Sequence, residues 1–201
     1  PFYILSGLFL LLGLIALVSP LPEIKATGED DSNEEESQEV ARYANSKTSI
    51  LQFPHLVLGS IAIFFYVGVE TIALGSVIDY AKTLGLAAAE NYSWITPIAM
   101  SIGYIAGILF IPKYLSQNTA LKICAIVAVI GTICVATLPA HLSIYSIGIV
   151  ALGCSLMWPA IWPLAMKDLG KFTKTGSSLL TMGLFGGAIL TLLFGWFKDL
   201  F

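Results

Sequence analysis

Read position by position, the chain is a series of long charge-free apolar runs separated by short polar turns. The runs cover Pro1 to Pro22, Asn91 to Pro112, Ile123 to His141, Leu142 to Met166 and Thr175 to Phe197, while Leu56 to Ile78 is broken only by Glu70. Each approaches or exceeds the ~18 to 20 residues that a helix needs to cross a hydrocarbon layer of about 30 Å. Inside that layer every backbone N–H and C=O must be paired, and a helix pairs its own. The pattern therefore predicts an all-α membrane protein with six transmembrane helices, over about 1–22, 54–84, 91–115, 119–139, 141–167 and 173–199.

One stretch breaks the pattern. Glu23 to Lys47 holds eight acids (Glu23, Glu29, Asp30, Asp31, Glu34, Glu35, Glu36 and Glu39) against Lys25, Arg42 and Lys47. With almost no large apolar side chain between Ile24 and Val40, it cannot bury enough surface to offset its ordering entropy, so a disordered linker over 23–52 is expected. It divides the first helix, 1–22, from a bundle over 53–201. Lys and Arg in alternate loops give the orientation. Eight lie on one side (Lys25, Arg42, Lys47, Lys113, Lys122, Lys167, Lys171 and Lys174) and two on the other (Lys82 and Lys198), which puts the acidic linker in the cytoplasm. The chain opens in an apolar run without a methionine and stops just after another, as a piece of a longer protein would.

Composition agrees with the pattern and narrows the chemistry. The chain is 57% apolar and 11% charged, where globular chains carry about 25% charged residues. Cys124, Cys134 and Cys154 lie inside apolar runs without a CxxC pair, and His55 and His141 sit at the edges of runs, so no metal site is expected. A net charge of -3 and the lack of a basic aromatic surface argue against nucleic-acid binding. No nucleophile elbow or phosphate loop is present, and no paired carboxylates occur outside the acidic linker, so neither enzyme activity nor a cofactor is expected. Binding and translocation remain.

Polar residues inside apolar runs mark candidate sites, because a carboxylate in hydrocarbon costs a few kcal/mol and needs a polar cavity or a partner. Glu70 is one, about 22 Å along its helix from His55. Tyr66 shares its face at i, i+4. Tyr104 is a candidate cavity liner in the next helix, which also carries Gly103 and Gly107, a small-xxx-small pair for close packing. In the run Trp158-Pro159-Ala160-Ile161-Trp162-Pro163, the prolines should bend the helix and free carbonyls. Trp158 lies about 13 Å from Lys167, near the midplane, where a flat indole can carry the apolar face of a sugar ring; Trp162, about 7 Å away, is an interfacial anchor. Ser177 with Thr181 forms a polar stripe in the last run, and Gly183 with Gly187 a second packing pair. Runs 1–22 and 119–139 are bland, which suits outer support positions.

Five segments together carry a resemblance: Gln52 to Gly59, Phe65 to Glu70, Trp158 to Leu164, Lys167 to Ser178 and Met182 to Gly187. They resemble the sugar transporters of the major facilitator superfamily, specifically the fucose/hexose symporter family and its glucose/galactose branch. The resemblance implies that the six helices are the sixth to eleventh of twelve, with the acidic linker as the central cytoplasmic loop. It further implies symport of a monosaccharide such as glucose, galactose or fucose with H⁺ or Na⁺ by alternating access, in a bacterial inner membrane and against a separate N-terminal bundle. Tyr66, Glu70, Tyr104, Trp158 and Ser177 then become candidate sugar contacts. The match departs at two positions: several relatives carry arginine where this chain has Tyr104, and asparagine where it has Cys154. A facilitator-type drug or organic-ion exporter and a non-transporting membrane scaffold stand as alternatives.

Overall fold

The computed structural model describes residues 42–111 and 114–200, together with four isolated helical positions, Gly7, Leu10, Leu11 and Ile15. The first expected helix, most of the acidic linker, and Pro112 and Lys113 lie outside the described residues. Within them every regular element is helical, and five spans are long and apolar enough to cross a membrane. The protein is a multi-pass membrane protein.

Three of the five spans are broken. The first consists of α1 (Pro54–Gly75) and α2 (Val77–Thr83), hinged at Ser76. The Ser76 hydroxyl donates back to the Ile72 carbonyl, a bond that competes with the helical ladder and bends helices. The second span is α3 (Ile95–Phe110), entered through a 3-10 turn at Ala89–Tyr92, and the third is α4 (Gln117–Thr137), capped by the Ser116 hydroxyl accepting from the Thr119 N–H at 3.2 Å.

The fourth span breaks one turn before its prolines. Helix α5 (Ala140–Ser155) ends at Leu156 and α6 (Met157–Met166) begins directly after it. A proline ring collides with the carbonyl four residues earlier. For Pro159 that carbonyl belongs to Ser155, the last residue of α5. Pro159 itself then sits in the first turn of α6, where its missing N–H removes nothing, and Pro163 is the proline inside the helix.

The fifth span runs from a 3-10 turn at Gly170–Phe172 through α7 (Thr173–Met182) to α8 (Phe185–Leu200). At its break the backbone tightens into bonds of 3-10 spacing: Gly183 to Leu180, Leu184 to Thr181, Gly186 to Gly183 and Gly187 to Leu184. This turn brings glycines onto α1. Gly183 abuts Ile63 and the Ser60 carbonyl, Gly186 abuts the Phe64 carbonyl, and Gly187 abuts Val67 and Thr71. Backbones approach this closely only where no Cβ intervenes.

The α5–α6 span is the centre of the bundle. In its most apolar window 61% of residues are buried, against 22–28% in the other four. It packs on α3, α4 and α1, with Gly103 against Ser155 and Gly107 against Leu156, so α3 meets it at the break. Helix α1 is sandwiched between this span and α8. The central span carries Trp158, and the helix packed between it and α8 carries Glu70.

Candidate functional site

The site is built on the crossing of α1 and the broken span. Tyr66 and Glu70 are one turn apart on α1, and their side chains face each other. Tyr66 is 7% exposed, so its ring is packed in the core, and Glu70 is half-buried. Two groups from other helices lie within electrostatic range of the Glu70 carboxylate: Tyr104 of α3 and Cys154 of α5. Cys154 is 1% exposed, whereas Tyr104 is 41% exposed.

Trp158 follows the Leu156 break. It is half-buried, packs on the core cluster that contains Tyr66 and Cys154, and stacks on Trp162 with ring centres 5.3 Å apart and planes inclined by 34°. Cys154 is the last residue but one of α5, and Trp158 is the second residue of α6. Tyr66, Glu70 and Tyr104 bring one carboxylate and two phenols within electrostatic range of one another, and the Trp158 indole lies on the same core cluster as Tyr66. Such a set can accept hydrogen bonds from several hydroxyls and cover an apolar ring face.

Ser177 stands apart from this cluster. Its hydroxyl donates to the Lys174 carbonyl at 2.9 Å, and the Thr181 hydroxyl donates to the Ser177 carbonyl at 2.8 Å, so both polar groups bond along their own helix. The adjacent Gly176 abuts Leu56, fourteen positions before Glu70 and so about 21 Å along α1. Cys154 shows the opposite relation: read as a missing amide in sequence, it lies beside the carboxylate.

A separate, mainly apolar cavity lies elsewhere among the described residues. It holds about 380 Å³ and is lined by Val69, Ile72, Ala73 and Tyr80 of the first span, Val135 of α4, Ile147 and Val150 of α5 and Phe194 of α8. At about 100° per residue its α1 lining faces roughly a quarter of a turn away from Tyr66 and Glu70. Asp79 and Lys198 pair at 3.4 Å on its border. Its walls suit acyl chains or apolar side chains. Chemistry, and not volume, selects the Glu70 cluster as the candidate site.

No family model matches the chain. The glucose/galactose transporter of Brucella abortus (strain 2308) is 29% identical over 205 residues, covering 99% of this chain and 47% of that protein. The L-fucose-proton symporter of Escherichia coli (strain K12) is 26% identical over 205 residues, covering 99% of this chain and 45% of that protein. Among solved structures, the major facilitator superfamily transporter FucP in its outward conformation superposes with a TM-score of 0.75 at 25% identity, covering 99% of this chain and 47% of that one. The chain has the fold of one half of a major facilitator superfamily transporter. It spans about half the length of the relatives it matches, and it corresponds to the C-terminal half of the FucP fold. In major facilitator terms the broken spans α1–α2, α5–α6 and α7–α8 all lie within one half-bundle. The relatives are transporters and not enzymes.

Proposed function

We propose that the chain forms one half of a proton-coupled monosaccharide symporter in the bacterial cytoplasmic membrane, and that the Glu70 cluster is its contribution to the sugar site. The observation that supports this reading is the Tyr66–Glu70 pair on α1 with Tyr104 of α3 within electrostatic range of the carboxylate, while Trp158 packs on the same core cluster as Tyr66. Glu70 accepts from sugar hydroxyls, Tyr66 and Tyr104 exchange hydrogen bonds with their neighbours, and the Trp158 indole covers the C–H face of the ring. The other wall is a partner N-terminal bundle, against which this half rocks in alternating access. The sugar assignment draws support from relatives that are a glucose/galactose transporter and an L-fucose-proton symporter. Of H⁺ and Na⁺, the proton has that support. The acidic linker lies on the cytoplasmic side by the Lys and Arg asymmetry of the loops.

Hexose counterflow in proteoliposomes of the full-length parent tests this reading. A hydrogen bond to a charged group contributes about 1.5–3 kcal/mol, so Glu70→Ala should weaken apparent hexose affinity by about tenfold to a hundredfold. Trp158→Ala should also impair exchange. Normal exchange in either variant removes that residue from the site, and competition by lipophilic cations in place of hexoses favours an exporter.

A further inference from the structure

A second organised cluster lies at the end of the bundle where α1 begins, α6 ends and α7 begins. Phe53 is fully buried there, and its ring meets Tyr43 at 5.7 Å, His55 at 5.8 Å and Phe172 at 5.6 Å, each edge-on. Ammonium groups rest over the two outer rings: Lys47 Nζ lies 5.1 Å from the Tyr43 ring centre and Lys171 Nζ 5.1 Å from that of Phe172. His55 Nε2 donates to the Lys167 carbonyl at 2.8 Å, which ties the start of α1 to the turn after α6. In that turn Asp168 takes a left-handed φ of 56° and Gly170 one of 46°. An L residue holds such a backbone only where its surroundings impose it.

The cations are placed against the local helix field. Lys171 lies in the 3-10 turn two residues before α7 and Lys174 lies in the first turn of α7, where the positive end of the helix dipole disfavours a cation and favours an anion. Lys167, Lys171 and Lys174 share the turn with Asp168 as its one acid. Aromatic rings attract ammonium groups without removing their charge. The assembly is thus a rim of fixed positive potential at the depth where membrane-crossing helices end.

We propose that this rim, centred on Lys47, Lys171 and Lys174, binds the phosphate headgroups of anionic phospholipids. The chemistry is that of a phosphate monoanion, and the location selects a lipid source, because Tyr43 and Phe172 present ring faces where acyl chains meet headgroups. Native mass spectrometry of the full-length protein, titrated with phosphatidylglycerol or phosphatidylcholine, provides the test. Phosphatidylglycerol should bind with a several-fold preference, and Lys171→Gln with Lys174→Gln should lower its affinity about fivefold per lysine removed. Lys171→Arg with Lys174→Arg should retain it, as should Lys82→Gln at the opposite end, and excess inorganic phosphate should not displace it. Equal binding of the two lipids, or an unchanged affinity in the glutamine variant, overturns the proposal. Displacement by inorganic phosphate overturns it in favour of a free-anion site. Carbodiimide coupling of Lys171 or Lys174 to Glu29–Glu39 overturns it in favour of the chain's own acidic segment.

Discussion

Glu70 has two different kinds of neighbour, and they predict different losses. Tyr66 is buried, so Tyr66→Phe keeps the ring in the core and removes only the hydroxyl that faces the carboxylate. Apparent hexose affinity in this variant should fall by about tenfold or more while the melting temperature stays near wild type. Ser177 offers the contrasting case. Its hydroxyl is bonded within its own helix and lies about four turns from Glu70 along α1, so Ser177→Ala should leave hexose counterflow within about twofold of wild type. A large loss there would mean that α7 slides relative to α1 during the cycle. Sequence periodicity places Tyr66 with Glu70 because both belong to one helix. It carries no depth register between helices, which is why Ser177 reads as a cavity residue in sequence and lies at the end of the bundle in space.

At the scale of elements, the membrane makes the spans legible and hides their breaks. A charge-free run of some twenty residues has little choice but a helix, and the five described spans follow the apolar runs. The breaks depend on finer causes. The two prolines announce a bend near Trp158, but the clash with the Ser155 carbonyl moves it a turn earlier, to Leu156. The Ser76 break rests on one hydroxyl that bonds backwards to Ile72. The break before α8 serves packing, since Gly186 lies directly against the Phe64 carbonyl. Gly186→Val should force α8 away from α1, with a loss of about 1–3 kcal/mol seen as a lower melting temperature in detergent. Gly195, with open space around its Cβ position, should accept alanine without that loss.

For the whole molecule, the bundle spans about half the length of the relatives it matches, and its polarity has to match the membrane. Two short reporters test the orientation derived from the loop charges: Ser46 precedes α1 and Ala87 follows α2, both exposed. In a cysteine-free background, Ser46→Cys should react with an impermeant maleimide only after permeabilisation, and Ala87→Cys should react in intact cells. The reverse labelling would turn the acidic linker outward. The central claim is that sugar and proton move together through a site to which Glu70 belongs. Its most direct measurement is external pH in a weakly buffered suspension of proteoliposomes bearing the full-length protein. Adding the transported hexose should raise external pH with wild type, and Glu70→Gln should abolish that response along with hexose uptake. A wild-type trace indifferent to hexose, or a Glu70→Gln trace equal to wild type, would contradict the account.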